Sequence, residues 1–387
     1  MIVNYISTSM EQQDFVELFA NSKNPPGQQG PKFNRLLIEG LAANGVEVHA
    51  CTGRPITRGN CSKLFLPQKK TVKNEHLTYF YSSVLNLPVL KNFWQMAAAY
   101  FAVLKDGKHK ENVVVCDVLN ASISFGSSLA AKHLGIPCIG IVTDLPELMV
   151  TGTKQGHIRM VERNMQNCTA YVLLTETMNE KVNPTGKPYV IIEGLCDSQM
   201  QQLEKKPVPH NIKKCIYAGL LDARYGVKMM VDGFLLADVP NTQLHIYGNG
   251  PYAEELRQIA ADHSNVVYHG VVMNDAVVQA ELDADLLINP RPTHEEFTKY
   301  SFPSKNMEYM VSGTAVLTTN LPGMPEEYCD HVYIADTETA EGFAKTLKNI
   351  LSLDTAELNA KGTSARSFVL EKKNNIVQSE KIIALVK

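Results

Sequence analysis

No apolar run in this chain of 387 residues reaches the ~18–20 residues that a membrane span needs, so no spanning helix is expected. The first strand-like run begins at Ile2 and leaves no room for a signal peptide, so a cytoplasmic protein is expected. Basic charge is not in excess either: the formal net charge is −3, whereas a nucleic-acid-binding domain is expected to be clearly basic. None of the eight cysteines (Cys51, Cys61, Cys116, Cys138, Cys168, Cys196, Cys215 and Cys329) forms a Cys-x-x-Cys pair, and several lie in apolar runs such as VVVCDVL. They read as reduced core residues without a structural zinc. No Asp-x-Asp or His/Cys cluster of ligand spacing follows a strand-like run, so no metal is expected. Tryptophan occurs once, at Trp94.

What is present is alternation. Strand-like runs at 2–7, 46–51, 113–117, 139–143, 170–174 and 189–193 are interleaved with helical stretches such as 33–44 and 123–134. The pattern fails at 197–211, which is polar and carries prolines, and then restarts with strands at 215–219, 243–247, 266–268 and 286–289 and helices at 227–236, 252–262 and 275–282. Such alternation implies parallel sheets flanked by helices, and the length suits about two domains of roughly 150–200 residues. The fold class is therefore α/β, with doubly wound domains at 1–200 and 212–370 and a linker at 201–211. In such folds ligands sit at the carboxyl ends of the strands.

Three strand ends in the first half carry polar groups. Thr143 and Asp144 follow a buried strand, with Pro146 stiffening the turn; Asp144 suits a sugar ligand or, equally, the cap of a following helix. Thr175 with Glu176, and Glu193 with Gly194, are further pairs of this kind. The stretch 11–32 is too polar and too rich in Pro and Gly for a regular element, and a long loop there is either functional or a mobile surface segment.

In the second half, Gly219 ends a strand and is followed by Arg224 and Gly226 before a helix, a workable phosphate cradle. Arg224 also fits an ordinary exposed loop cation. Gly248 and Gly250 follow the next strand, and Gly270 the one after. Residues 301–319 then read as a polar approach, a helix and a buried strand. Pro303 suits the first helical turn, Met307, Met310 and Val311 fall at helical spacing, and Gly313 suits the helix end. A helix start offers N–H groups and a positive dipole end to a phosphate. Ser304 and Lys305 on the first turn, with Glu308 one turn deeper, could hold a diphosphate and ribose hydroxyls. An ordinary helix start with a solvated lysine fits the same residues.

Residues 300–328 resemble the donor-site motif of family-4-like retaining glycosyltransferases, in particular the bacterial extracellular and capsular polysaccharide-assembly branch. That motif runs YSFPSK-x-x-EYM-x-SG, then PG-x-PEEY; here Tyr300 to Lys305, Glu308 to Met310, Ser312, Gly313 and Pro322 to Tyr328 stand in its places. The resemblance implies a GT-B fold, two Rossmann-like domains facing a central cleft, with residues 371–387 packing back on the N-terminal acceptor-binding domain. It implies donor binding by Gly219, Arg224, Gly248, Gly270, Ser304, Lys305 and Glu308, an acceptor-side loop at Gly27, Gln28 and Gly30 with Thr143 and Glu176, and catalysis by Asp144 and Glu296. Two departures stand out. The family's G-R-L-x-x-x-K-G has Leu220 and Tyr225 in place of its two cations, and the first carboxylate of its Glu-x7-Glu is Tyr300, leaving Glu295 and Glu296 nearby. The implied activity is retaining transfer from a nucleoside-diphosphate-sugar, UDP favoured, to a polysaccharide or lipid-linked oligosaccharide, with no cofactor and no metal. A nucleotide-sugar epimerase on the same fold and a non-catalytic partner subunit are the alternatives.

One segment has both aromatic and basic character. Residues 88–105 contain Phe93, Trp94, Tyr100 and Phe101, with Lys69, Lys70, Lys73, Lys105, Lys108 and Lys110 nearby. Such a helix either rests on the inner face of a membrane or belongs to the core of the first domain.

Overall fold

The computed structural model describes residues 1–27, 29–106, 111–148, 155–202, 205 and 211–386. The chain divides into two compact units, one of Met1–Leu195 with Asn375–Lys387, the other of Cys196–Asn374. The division thus falls ahead of the polar stretch expected as a linker. Met200 packs on the core of the second unit, and Lys205 donates to the Ala284 carbonyl (2.8 Å) and to Thr314 Oγ1 (2.6 Å) there. The rest of 203–210 lies outside the described residues.

The strands of the first unit are β1 (Ile2–Ser7), β2 (Glu47–Thr52), β3 (Phe65–Leu66), β4 (Lys69–Val72), β5 (Leu77–Tyr81), β6 (Val84–Leu85), β7 (Asn112–Asp117), β8 (Cys138–Val142), β9 (Ala170–Leu173) and β10 (Tyr189–Ile191). Eight form one sheet in the order β10-β9-β8-β7-β1-β2-β5-β4, parallel except for the edge strand β4. Order therefore reverses between β1 and β7. The helices are α1 (Gln12–Phe19), α2 (Gln29–Ala43), α3 (Leu90–Asp106), α4 (Ala121–Leu134), α5 (Gln155–Asn167) and α6 (Glu176–Val182). Leu36, Leu37 and Leu41 of α2 pack with Val3 and Tyr5 of β1 and Val113 and Val115 of β7 in one core.

Two features of this unit differ from expectation. The stretch after β1 is not all loop: α1 forms over Gln12–Phe19, because the Glu11 carboxylate caps it by accepting from the Gln13 and Asp14 amides at 2.7 and 3.1 Å. Lys73 in turn holds Glu11 at 2.6 Å, and Lys69 pairs with Asp14. The α2 helix also starts at Gln29, four residues before its apolar face begins.

The second unit has β11 (Lys213–Ala218), β12 (Thr242–Tyr247), β13 (Val266–Gly270), β14 (Leu286–Asn289), β15 (Ala315–Thr318) and β16 (Tyr333–Ile334), all parallel, in the order β13-β12-β11-β14-β15-β16. This is the Rossmann order, with its switch point between β11 and β14. The helices α7 (Val227–Ala237), α8 (Ala253–Asp262), α9 (Asn274–Leu282), α10 (Ser304–Ser312), α11 (Ala340–Ser352) and α12 (Thr355–Lys372) surround it, in two cores on opposite faces. The last helix, α13 (Asn375–Ala384), belongs to the first unit and lies on α2. It does so because Gly40 has no side chain where the Asn375 carbonyl approaches. Gln378 also donates to the Gly194 carbonyl at 2.9 Å.

Candidate active site

In the second unit the loops that matter follow β11, β12, β13 and β14, on and beside the switch point. Gly219 follows β11, and its amide donates to the Tyr247 carbonyl (2.9 Å). Gly248 follows β12 at φ +127°, and a Cβ there would run into the Gly219 carbonyl. Its amide bonds the Gly270 carbonyl at 2.8 Å, and Gly270 itself sits at φ +68°. The three glycine turns are thus linked backbone to backbone, with a side chain excluded at Gly248 by the Gly219 carbonyl and disfavoured at Gly270 by its φ.

Beside them lies the start of α10. Pro303 is its N-cap (φ −66°, ψ 117°), one position earlier than expected, and no side chain caps the helix. The Asn306 side chain fastens this end by accepting from Asn289 Nδ2 at 2.6 Å, while Tyr309 OH accepts from the Ala218 amide at 3.0 Å. Ser304 and Glu308 are exposed on consecutive turns. Lys305 is half-buried, donates to the Ala218 carbonyl, and lies under Gly219 against the Tyr217 and Tyr309 rings (5.4 and 6.0 Å). Burial pulls its ammonium below the ordinary lysine value, against the opposing pull of Glu308 and Glu281.

Arg224 is exposed and held by Asp222, with Nη2 at 2.8 Å from the carboxylate. A further cation at this end of the sheet is Arg291, which sequence reasoning missed. It follows β14, stacks on Tyr225 and Phe297 (5.0 and 5.5 Å to the ring centres), and is near enough to Lys305 to add to the lowering of its affinity for protons. The signal was the Asn289–Pro290–Arg291 run at a strand end, opposite Tyr225, where the family motif has a lysine. Glu296 opens a short 3-10 turn, Glu296–Lys299, and is exposed. That turn is braced by Thr298 Oγ1, which donates to the Glu295 carbonyl at 2.6 Å.

The carboxyl edge of the first sheet carries a different constellation. Asp117, at the end of β7, accepts from the Leu119 amide (3.1 Å), from Asn34 Nδ2 (2.9 Å) and from Asn120 Nδ2 (2.6 Å). Asn34 accepts from Tyr5 OH at 2.7 Å and donates to the Gly30 carbonyl at 3.2 Å. One buried carboxylate therefore ties the start of α2 to the start of α4 across the switch point. Burial pushes the Asp117 carboxyl up to about 7, with Cys116 and Asp144 adding to the rise. Thr143 is half-buried and Asp144 exposed after β8; Gly27 and Gly30 are exposed, and Gln28 lies outside the described residues. Glu176 opens α6, capped by Thr175, and accepts from Tyr189 OH at 3.0 Å.

Cysteine spacing gave no hint that Cys116, Cys138 and Cys168 meet. They come from three adjacent strand regions, and their sulfurs are packed within 4.8 Å of one another in the interior. On α3, Gln95, Ala99 and Val103 are buried while Phe93, Trp94 and Phe101 are exposed (60, 44 and 66 %). The basic surround expected there is depleted, since Lys69 and Lys73 are paired with Asp14 and Glu11; Lys108 and Lys110 lie outside the described residues. Among the described residues no helix is long and apolar enough to cross a membrane.

Comparison with known proteins agrees with this geometry. Residues 198–366 match the family described as glycosyl transferases group 1, so the second unit carries a glycosyltransferase domain of that kind. No curated protein matches the sequence. Among solved structures, sucrose-phosphate synthase from Thermosynechococcus elongatus is similar over 100% of this chain and 98% of its own (TM-score 0.67, 16% identity). The Anabaena protein HepE in complex with UDP covers 99% of both chains (TM-score 0.66, 13% identity). A trehalose-6-phosphate synthase, studied for glycosyltransfer with retention, covers 99% and 98% (TM-score 0.65, 11% identity). At these identities the likeness is one of fold, and the fold is GT-B.

Proposed function

We propose that this protein is a retaining, metal-independent glycosyltransferase of the family-4-like type. It moves a sugar from a nucleoside-diphosphate donor, UDP favoured, to a polysaccharide or lipid-linked oligosaccharide acceptor in bacterial polysaccharide assembly. The carrying observation is the convergence of Lys305, Arg291 and the uncapped start of α10 beside the Gly219 turn. Two fixed cations and a helix N-terminus suit a diphosphate, and most of all one gaining charge as it leaves.

In the reaction the bond from the anomeric carbon to the diphosphate oxygen breaks and a bond to the acceptor hydroxyl oxygen forms on the same face. The departing phosphate takes the hydroxyl proton. Lys305 and Arg291 neutralise the leaving group, Glu308 holds the ribose hydroxyls, and the backbone near Gly270 meets the base. Ser304 adds a hydroxyl to the phosphate site, while Glu296 is the carboxylate placed toward the sugar. On the acceptor side Asp144, Thr143, Glu176 and the loop at Gly27 and Gly30 line the strand ends of the first unit. HepE with UDP, and the retention described for trehalose-6-phosphate synthase, support this reading by likeness of fold.

The test is acceptor-free turnover. Incubated with a panel of UDP-sugars, the enzyme should bind one of them calorimetrically and release UDP slowly, and both should persist in EDTA. Absence of nucleotide binding overturns the reading; release that stops in EDTA and returns with Mg²⁺ or Mn²⁺ overturns its metal-independence.

A further inference from the structure

A long cation on a loop ordinarily samples many positions. Arg291 stands on such a loop, yet three other parts of the second unit close on the segment 290–300. From the turn after β11, the Tyr225 ring meets the guanidinium at 5.0 Å, and within the loop Phe297 meets it at 5.5 Å, the two rings lying 6.1 Å apart at 71°. Asp222 fixes that turn by accepting from the Arg224 amide at 3.0 Å, and Gly226 (φ +75°) lies so close to the Pro290 carbonyl that no Cβ would fit. After β15, Thr319 Oγ1 donates to the Arg291 carbonyl. After β16, Glu338 Oε2 accepts from the Thr293 amide at 2.9 Å, although the two residues are 45 positions apart.

We infer, on the glycosyltransferase reading above, that Tyr225 and Glu338 are positioning residues that hold Arg291 at the diphosphate site. They act at different points. The Tyr225 ring attracts the guanidinium through its face, which leaves the in-plane N–H donors to hydrogen-bond a phosphate. Glu338 works through the main chain. A carboxylate on a backbone amide is a charge-assisted bond, and Thr293 lies between Arg291 and the Glu295–Glu296 pair, so the bond keeps the loop from hinging there. Thr298 Oγ1 carries the brace onward by reaching the Thr293 carbonyl at 3.1 Å. His294 adds little, since it is 74% exposed and no nearer to Glu338 than 3.8 Å. The consequence is catalytic: a cation already in place needs no reorganisation as the diphosphate gains charge on leaving. Arg291 is thus the group that touches the substrate, and Tyr225 and Glu338 act through it.

The experiment is a double-mutant cycle on UDP release from the donor by the full chain. Tyr225→Ala and Glu338→Ala should each lower kcat about tenfold, the scale on which a displaced group costs rate, with the donor KM little changed. Tyr225→Phe and Glu338→Gln, which keep the ring and an acceptor oxygen, should recover most of that loss. In an Arg291→Ala background the same two alanine substitutions should have almost no effect, because the residue they place is gone. Equal losses in both backgrounds overturn the inference, since Tyr225 and Glu338 then act on the fold or on the donor directly. Wild-type kcat in Tyr225→Ala and Glu338→Ala overturns it as well. A second cycle, on urea midpoints, needs no turnover: Arg291→Ala should shift the midpoint less in Tyr225→Ala than in the wild-type chain, and equal shifts overturn the hold of Tyr225 on Arg291. A wild-type chain that binds no UDP-sugar defeats the glycosyltransferase reading itself, and the urea cycle still decides whether Tyr225 holds Arg291.

Discussion

The two switch points of this molecule solve one task in opposite ways. At that of the second unit, between β11 and β14, the backbone does most of the work: Gly219, Gly248 and Gly270 are linked backbone to backbone, and the charges beside them, Lys305 and Arg291, are pinned to a carbonyl and to aromatic rings. At that of the first unit, between β1 and β7, side chains do the work: Tyr5, Asn34, Asp117 and Asn120 form a relay around one buried carboxylate. A backbone cradle with fixed cations keeps its character over a wide pH range and suits a ligand with invariant phosphates. A side-chain relay varies with sequence and with protonation, which suits the acceptor side of the proposed transferase.

That contrast breaks most sharply at the cations. Lys305→Ala or Arg291→Ala should lower kcat by about 10²–10³, the usual cost of removing one donor that stabilises developing charge. Steady-state rates of UDP release settle the matter. If only the donor KM rises, these residues bind substrate without easing departure, and the second switch point is a simple anchor.

The first switch point should betray itself through pH. Asp117 has an ordinary value of 3.8 and a folded value of about 7, so between those limits the folded state keeps a proton that the unfolded chain has lost. Stability from this group is therefore complete below pH ~4 and is lost as pH rises toward ~7, by on the order of 4 kcal/mol for a shift of this size. Urea midpoints of wild type and Asp117→Asn, compared from pH 4.5 to 7.5, should diverge in slope, with the variant flatter. Parallel curves would mean that Asp117 ionises normally and the relay is not strained.

A smaller effect separates ribose from phosphate within the second unit. Glu308→Ala should weaken nucleoside-diphosphate binding by about 1.5–3 kcal/mol, as for hydrogen bonds to a charged group. Calorimetry with UDP reads this directly, and unchanged affinity in a folded variant removes Glu308 from the donor site.

How far the sequence disclosed all this follows the same divide. Most strands of the two sheets were legible because buried parallel strands are short apolar runs between glycine and polar punctuation, whereas β4 and β5, at the edge of the first sheet, and the two-residue β16 were not read. The start of α10 was legible through Pro303 and Gly313, a local signal. Arg291 was not, since its importance comes from Tyr225 and Phe297, which only folding brings to it. The Asp117 relay links Tyr5 to Asn34 and Asn34 to Asp117, 29 and 83 positions apart in the chain, and the meeting of Cys116, Cys138 and Cys168 likewise depends on strand order. The α1 helix was hidden because its cap is a glutamate held by Lys73, a distant residue, in a stretch whose composition reads as loop.

The smallest expected effect concerns α3, where the first unit differs from the second in exposing aromatic surface. Phe93, Trp94 and Phe101 stand out from a helix whose other face is core, and Leu64, Phe65 and Leu90 are exposed nearby. A lipid-linked acceptor would bring this unit to the inner face of a membrane. Of the lysines that would add about 1 kcal/mol each near anionic lipid, Lys69 and Lys73 are paired with Asp14 and Glu11, so attachment should rest more on the aromatics than on charge and respond little to salt. Liposome co-sedimentation should therefore show weak binding that survives high salt and disappears in Trp94→Ala/Phe101→Ala. Strong, salt-sensitive binding would restore the electrostatic account. Protein that stays in the supernatant at every salt concentration would mean that α3 serves only the fold and that the acceptor is soluble.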